Sequence, residues 1–120
     1  MSLSPTQLTL RQLRADGYTA QVVEHWNHFA KCRQDLFRII DVLAVGNGET
    51  IGIQCTSYSN MAVRVKKVNA CEAIADIRSA GWKVLVHGWH KKKNRWVCRE
   101  VDCSDRDIET PDEFRTTGAL

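Results

Sequence analysis

Two isolated polar side chains stand in the apolar segment IIDVLAVGNGETIGIQCTS, which runs from residue 39 to residue 57. They are Asp41 and Gln54, and Thr56 follows two positions later. A carboxylate, an amide carbonyl and a hydroxyl are oxygen ligands of the kind that Mg²⁺ or Mn²⁺ accepts. Two polar residues on neighbouring strands can equally satisfy each other, or backbone groups, by hydrogen bonding. The sequence therefore leaves a metal site and a purely structural pair open.

The dipeptide NG at residues 47–48 predicts a two-residue hairpin turn, because both residues accept a positive φ. Pairing outward from this turn sets Asp41 opposite Gln54. The same pairing sets Ile39 opposite Thr56. Side chains alternate between the two faces of a strand, so one face of the hairpin is expected to be wholly apolar: Ile40, Val42, Ala44, Ile51, Ile53 and Cys55. The opposite face is expected to collect Asp41, Gln54 and Thr56 beside Gly52.

The elements around this hairpin must position its polar face. A helix is predicted in SPTQLTLRQLRADG, where Ser4 is a suitable cap, Pro5 suits the first helical position and Gly17 ends the helix. The stretch YTAQVVEHW alternates as a strand does, and Glu24 falls on its otherwise apolar face. The following residues, NHFAKCRQDLF, are predicted to form a long irregular connection.

Helical spacing of apolar residues resumes from Met61 to Ala80, with Gly81 as the stop. Two last strands, WKVLVHGWH and RWVCREVDC, flank the basic turn KKKN. The predicted order of elements is α-β-β-β-α-β-β. A strand meander followed by a helix and returning strands predicts an α/β or α+β fold, in which helices pack on a mixed central sheet.

The segments RQDLFRIIDVLAV and IGIQCTSYSNMAVRVKK, in this order of elements, resemble the PD-(D/E)XK nuclease superfamily. That superfamily includes restriction endonucleases and archaeal-type Holliday junction resolvases. The likeness covers the chain from the first helix to about Cys103, and it is greatest to small, phage-type nuclease-fold proteins. It implies a restriction-endonuclease-like core and metal-dependent hydrolysis of phosphodiester bonds in DNA, branched or phage DNA included. The implied cofactor is Mg²⁺ or Mn²⁺, and the implied partner is DNA.

The resemblance assigns roles to individual residues. Asp41 matches the Asp of the motif, and Gln54 matches the acidic position of the third strand. Glu24 is a candidate for the accessory acidic residue, and Asp35 is the other candidate. The implied metal ligands are therefore Asp41, Glu24 and the side-chain carbonyl of Gln54.

Two positions depart from the superfamily pattern. Gln54, in place of Glu or Asp, removes one negative charge from the metal site. Thr56 stands where the superfamily usually has the lysine that positions or activates the attacking water. Lys67 or Lys66, from the following helix, would then have to supply that cation.

The positive charges of the chain are unevenly distributed. The 120 residues carry a net charge of +3 and suffice for one domain with one core. Two basic groups, RVKK and HKKKNR, are predicted to bind the phosphate backbone of DNA: Arg64, Lys66, Lys67, Lys91, Lys92 and Lys93. Residues 1–103 are predicted to form a single nuclease-like domain, and the acidic segment of residues 104–120 is predicted to form a C-terminal tail.

Other interpretations remain open at this point. A weakened nuclease fold would bind DNA without cutting it, and a protein-interaction module, such as a homodimer, would not need Asp41. Structural zinc would use ligands such as His25, His28 and Cys32, or Cys98 and Cys103, although these spacings match no closed zinc site. Stacking on bases is one use of exposed aromatics, but packing is the more typical role of the four tryptophans: Trp26, Trp82, Trp89 and Trp96.

No apolar segment approaches the roughly 20 residues needed to span a bilayer, and no membrane partner is expected. The first residues, MSLSPTQL, lack the layout of a secretory signal. The five cysteines form an odd and scattered set, which suits reduced thiols better than a disulfide framework. A cytoplasmic location, in a bacterial or phage-infected cell, is the resulting expectation.

Overall fold

A mixed sheet of six strands lies at the centre of the molecule, with helices on both of its faces. The computed structural model describes residues 3–105 and the backbone of residues 115–119. The helices are α1 (Pro5–Ala15), α2 (Met61–Asn69) and α3 (Ile74–Ser79). The strands are β1 (Thr19–Val22), β2 (His25–Asn27), β3 (Cys32–Gln34), β4 (Val42–Gly46), β5 (Glu49–Ser57), β6 (Lys83–Lys92), β7 (Arg95–Asp102) and β8 (Arg115–Ala119). A short 3-10 turn, Tyr58–Asn60, joins β5 to α2.

The strand order in the central sheet is β1-β4-β5-β6-β7-β8, while β2 and β3 pair as a separate hairpin. Neighbouring strands of the sheet are antiparallel except β5 and β6, which run parallel and are connected through α2 and α3. The prediction of an α+β fold with a mixed sheet is confirmed. No helix in the described residues is long and apolar enough to cross a membrane.

Short-range signals fix three boundaries as predicted. Ser4 Oγ accepts a hydrogen bond from the Gln7 backbone N–H at 3.2 Å, which caps α1. Asn47 and Gly48, with φ of 52° and 76°, form the turn between β4 and β5, and the predicted register follows from it. Gly81, with φ of 85°, ends the helical region.

Both faces of the sheet are covered by helices. One core cluster joins α1 to the sheet: Leu10, Leu13, Ala20, Val42, Ala44, Ile51, Ile53, Cys55 and Leu85. The other joins α2 and α3 to the opposite face, and it includes Met61, Val65, Val68, Ile74, Ile77, Val84, Val86 and Val101. Gly88 allows close packing of α2, because a Cβ at Gly88 would collide with the Met61 side chain. The polar residues Gln54 and Thr56 are therefore buried within the fold.

The strand predicted over YTAQVVEHW is too long. β1 ends at Val22, and the next backbone N–H, of Val23, donates to Asp41 O at 2.8 Å. The chain then leaves the central sheet, and β2 pairs with β3. A hairpin therefore occupies the stretch that was predicted to be an irregular connection.

The turn before β4 also differs from the prediction. An isolated bridge joins Leu36 and Ile40 around a turn that contains two residues with positive φ. Ile40 therefore packs with α2 and α3, on the side opposite to the predicted apolar face of the hairpin. Because β4 begins only after this turn, the predicted pairing of Ile39 with Thr56 is also wrong.

The helix predicted from Met61 to Ala80 is divided in two. α2 ends at Asn69, and α3 begins at Ile74. Arg78 Nη2 donates to Asn69 Oδ1 at 2.8 Å and so links the end of α2 to α3. The break lets apolar residues of both helices reach the same face of the sheet.

The predicted C-terminal tail contains a strand. The backbone of Arg115–Ala119 forms β8 and pairs with β7 at the edge of the sheet. Residues 106–114 and 120 of the predicted tail lie outside the described residues.

Candidate metal centre

Three carboxylates meet where the β2–β3 hairpin joins the central sheet. Glu24 precedes β2, Asp35 follows β3, and Asp41 precedes β4. One carboxylate oxygen of each lies within 4.8 Å of the others. Trp26 lies opposite Arg33 in the hairpin, and the same register, continued by two residues, sets Glu24 opposite Asp35. The hairpin that was not predicted is therefore the element that positions two of the three carboxylates.

Asp41 is buried and held in one orientation. Its Oδ2 accepts hydrogen bonds from Gln54 Nε2 at 2.6 Å and from the Cys55 backbone N–H at 2.9 Å. Burial raises the pKa of Asp41, and the neighbouring Asp35 carboxylate raises it further, to about 7. Two carboxylates brought together away from water favour a proton or a metal cation between them.

Gln54 carries a further buried side-chain oxygen next to Asp41. Its side chain is 2% exposed, and its Nε2 donates to Asp41. Gln54 Oε1 is buried and accepts no hydrogen bond from any described residue. A buried carbonyl oxygen without a donor is costly, and a cation is a partner that would satisfy it. Three carboxylates and a neutral carbonyl oxygen fit Mg²⁺ or Mn²⁺.

The hydrogen bond between Asp41 and Gln54 is the contact that a purely structural pair would make. That interpretation does not account for the rest of the site. A structural pair requires neither Glu24 nor Asp35 nearby, and it offers no partner for the second polar atom of the Gln54 amide. The Asp41–Gln54 pair alone therefore explains neither the grouping of the three carboxylates nor the missing partner of Gln54 Oε1.

Lys67 lies beside the three carboxylates, although it comes from α2 and not from the strand that carries the lysine in the superfamily pattern. Lys67 Nζ, on α2, is 3.9 Å from Asp35 Oδ2. Thr56 is buried on β5, two residues beyond Gln54 and so on the same face of the strand. Lys66 is exposed on α2, and no ion pair joins it to a carboxylate in the described part of the chain. Of the two lysines predicted for this role, Lys67 is the one beside the site.

Two arginines that were not predicted lie near the same carboxylates: Arg33 contacts Glu24, and Arg38 lines a cleft that includes Asp35. Arg33 Nη1 is 3.2 Å from Glu24 Oε1. Together with Arg38 and Lys67, Arg33 lines a cleft of about 390 Å³ beside Asp35. A neighbouring cleft of about 500 Å³ shares Arg38 and Lys67. The sequence signal for both arginines is the stretch CRQDLFR, in which basic residues flank Asp35 on either side.

The other predicted basic residues lie away from the carboxylates. Gln54 pairs with Val86 in the β5–β6 ladder. Lys92 follows Val86 by six residues, which corresponds to about 20 Å along the strand. The tip of the β6–β7 hairpin, which carries all three lysines of the second basic group, is therefore separate from the site. Arg64 is half-buried on α2, with no ion pair to a carboxylate among the described residues.

The alternative zinc ligands do not come together. Within residues 3–105, the three carboxylates are the only group of three or more His, Cys, Asp and Glu side chains with ligand atoms within 4.8 Å of one another. His25, His28 and Cys32 therefore form no metal site there. Their hairpin instead holds Glu24 and Asp35 at its base.

A second buried polar cluster joins α1 to β6 and β7. Thr9 Oγ1 lies 3.1 Å from His87 Nδ1 and accepts a hydrogen bond from Trp89 Nε1 at 2.8 Å. His87 Nε2 lies 3.0 Å from Glu100 Oε1. Burial lowers the pKa of His87, whereas hydrogen bonds to Cys98 and Glu100 raise it, and the resulting pKa is about 9. No partner was predicted for His87, although pairing outward from the β6–β7 turn sets it opposite Glu100.

Comparisons of the chain with protein-family models, with curated proteins and with solved structures found no match. The resemblance to PD-(D/E)XK nucleases therefore stays a prediction. The assignment of a function rests on the geometry of the carboxylates, the Gln54 carbonyl and the surrounding cations.

Proposed function

We propose that this protein is a metal-dependent endodeoxyribonuclease, which hydrolyses phosphodiester bonds of DNA in the manner of PD-(D/E)XK nucleases. The observation that carries the proposal is the convergence of three carboxylates within 4.8 Å, beside the unpaired and buried Gln54 carbonyl. Lys67 and two arginines line the cleft next to them. Anionic ligands for a cation and cationic groups for a phosphate, side by side, are what metal-assisted phosphodiester hydrolysis needs.

The arrangement of the elements supports this proposal. β1, β4 and β5 are antiparallel neighbours, and β5 continues through α2 and α3 into the parallel strand β6. With α1 before them, with α2 and α3 counted as one helical region and with the separate β2–β3 hairpin left out, these elements follow the α-β-β-β-α-β order that the resemblance implies for a restriction-endonuclease-like core, which supports the proposal. Asp41 directly precedes the second strand of that order, and Gln54 lies on the third.

The oxygens of Asp41, Glu24, Asp35 and Gln54 would hold Mg²⁺ or Mn²⁺. When bound, the ion lowers the pKa of a coordinated water and neutralises charge on the phosphate. Gln54 Nε2 and the Cys55 backbone N–H fix one Asp41 oxygen in place, which leaves the other oxygen for coordination. The neutral Gln54 amide thus orients Asp41 with its nitrogen and offers its oxygen as a ligand.

Three cations would bind the DNA backbone. Arg33, Arg38 and Lys67 line one cleft, so their charges can hold a phosphate against the carboxylates. Lys67 takes the part of the lysine that Thr56 replaces in the superfamily pattern. With Nζ 3.9 Å from Asp35, Lys67 can stabilise the negative charge that develops on the phosphate during hydrolysis.

The two departures from the superfamily pattern favour a second candidate function. With Gln54 and Thr56, the site has one negative charge and one strand lysine fewer than that pattern. A fold weakened in this way would bind metal and DNA but would not hydrolyse the phosphodiester bond. Both candidate functions have DNA as the partner, and both suit a cytoplasmic protein.

Cleavage assays with matched variants test the proposal. Purified protein is incubated with single-stranded, duplex and branched DNA in Mg²⁺, Mn²⁺ or EDTA. We expect cutting only with metal, and a loss of about 100-fold or more in Asp41→Asn, because a charged ligand is removed. Asp76→Asn, which changes an exposed carboxylate on α3, should cut like the wild type.

Adjacent lysines on α2 provide a second matched pair for the same assay. Lys67→Ala should lower the cleavage rate about 10- to 1,000-fold, while Lys66→Ala should change it less than about 2-fold, as expected of a solvated lysine. The nuclease proposal would be contradicted if the protein cut none of the three substrates with either metal, or if Asp41→Asn kept full activity. Metal-dependent DNA binding without cutting would instead favour the second candidate function.

A further inference from the structure

The β2–β3 hairpin carries more than the two carboxylates at its base. Residues 25–34, HWNHFAKCRQ, contain no Asp or Glu and have two fixed positive charges, Lys31 and Arg33. Two aromatic side chains of the hairpin lie in solvent: Trp26 is 52% exposed, and Phe29 is fully exposed. The hairpin therefore presents cationic and aromatic groups that the core of the fold does not use.

The tip of the hairpin is ordered by its own hydrogen bonds. Asn27 Oδ1 accepts from the backbone N–H of Phe29 at 2.9 Å and of Ala30 at 3.0 Å. Asn27 Nδ2 donates to Gln34 Oε1 at 3.0 Å, and Lys31 closes the turn with a left-handed φ of 52°. The exposure of Phe29 is thus a property of a defined turn.

Trp26 and Arg33 lie on the face of the hairpin that bears the carboxylates. They are directly opposed in the β2–β3 ladder. Glu24 and Asp35 are the next residues on that face, two positions nearer the base, which corresponds to about 7 Å along the strands. The contact of 3.2 Å between Arg33 and Glu24 agrees with this placement. The Trp26 ring and the Arg33 guanidinium therefore lie next to the carboxylates, on the side towards the hairpin tip.

We propose that this hairpin binds unpaired nucleotides, so that the substrate is single-stranded or locally unpaired DNA. Trp26 stacks on a base of the strand whose phosphate lies at the carboxylates, and Arg33 binds the adjoining phosphate. Phe29, at the tip, contacts a further base. Aromatic side chains stack on the faces of unpaired bases, whereas neighbouring base pairs cover those faces in a duplex. The inference rests on the proposed function, because it uses the carboxylates to place the strand.

Binding in EDTA tests the hairpin separately from cleavage. Fluorescence anisotropy gives a Kd for a labelled single strand and for the duplex of the same sequence. We expect Trp26→Ala to weaken single-strand binding about 5- to 100-fold, with less than about 2-fold change in duplex binding, where no base face is free. Trp26→Phe, which keeps a ring, should lose less, and Phe29→Ala should weaken single-strand binding only. Val63→Ala, an exposed apolar residue on α2, is the control.

The outcomes distinguish a failure of the hairpin inference from a failure of the nuclease proposal. Unchanged single-strand affinity in both Trp26→Ala and Phe29→Ala overturns the hairpin inference, even if the wild type cuts DNA. Trp26-dependent binding of the single strand without any cleavage overturns the nuclease but supports the binding of unpaired nucleotides by the hairpin. The hairpin inference is also overturned if Trp26→Ala and Phe29→Ala reduce self-association, measured by sedimentation, and leave DNA binding unchanged. If Trp26→Ala fails to fold, Phe29→Ala decides, since Phe29 is fully exposed.

Discussion

A neutral side chain at position 54 limits the negative charge of the candidate metal site. Gln54 Nε2 donates to Asp41, so the two residues attract each other even without a cation. A carboxylate at this position would repel Asp41 and Asp35 in the absence of metal, and it would bind a cation more tightly. In the proposed metal site, Gln54 would therefore favour a site that is already folded before metal binds, and it would lower the metal affinity.

The variant Gln54→Glu tests this balance. Without metal we expect the free energy of unfolding to fall by about 1–3 kcal/mol, and with saturating Mn²⁺ we expect a larger rise in Tm than the wild type shows. Thermal unfolding with and without Mn²⁺ measures both effects. Gln21→Glu, the same change at an exposed position of β1, should behave like the wild type. An equal metal-dependent rise in Gln54→Glu and wild type would show that position 54 does not contact the ion.

At the scale of elements, local signals made some parts of the site predictable and left others hidden. Asn47 and Gly48 specify the β4–β5 turn by themselves, and this turn places Asp41 near Gln54. The β2–β3 hairpin has no such dipeptide. Its four-residue turn is held instead by hydrogen bonds of the Asn27 side chain. Its pairing therefore could not be derived from the sequence pattern.

The missed hairpin explains why the acidic residues were predicted as alternatives. Glu24 and Asp35 are eleven positions apart by residue number, and only the pairing of β2 with β3 brings them opposite each other. The structure places both beside Asp41. The break between α2 and α3 was hidden for a related reason, since it is stabilised by the tertiary contact of Arg78 with Asn69.

A buried polar cluster attaches α1 to the sheet and makes this attachment depend on pH. The pKa of His87 is about 9 in the folded protein, above the ordinary value of 6.5. A proton on His87 therefore stabilises the folded state. This stabilisation is complete below about pH 6.5 and is lost as the pH rises through about 9. The pKa of Asp41 is raised from 3.8 to about 7, so its effect is a fall in the free energy of unfolding as the pH rises between these two values. This effect lies mainly below the pH range in which His87 loses its proton.

Urea denaturation at about pH 7.5 and about pH 9.5 measures this dependence. We expect the free energy of unfolding of the wild type to fall by about 1–2 kcal/mol between the two values. His87→Gln should show a smaller fall, because it has no proton to lose. His28→Gln, at an exposed position, should keep the dependence of the wild type. The same fall in His87→Gln as in the wild type would assign the effect to other groups.

At the scale of the whole molecule, the site is assembled where the hairpin, the central sheet and α2 meet. Asp41 and Gln54 come from the sheet, the other two carboxylates come from the base of the hairpin, and Lys67 comes from α2. The net charge of +3 is small, and three of the 17 Lys and Arg residues, Arg33, Arg38 and Lys67, line this cleft. The proposed mechanism therefore depends on a few cations beside the carboxylates and does not need a strongly basic surface.

Titration of the protein with Mn²⁺ by calorimetry measures directly whether the three carboxylates hold a metal ion. We expect the wild type to bind Mn²⁺ and Asp41→Asn to weaken this binding about 10-fold or more, because a negatively charged ligand is replaced by a neutral one. Asp76→Asn, with an exposed carboxylate removed from α3, should bind Mn²⁺ like the wild type. A wild type that binds no Mn²⁺, or an Asp41→Asn variant that binds it as tightly as the wild type does, would contradict the proposed metal site.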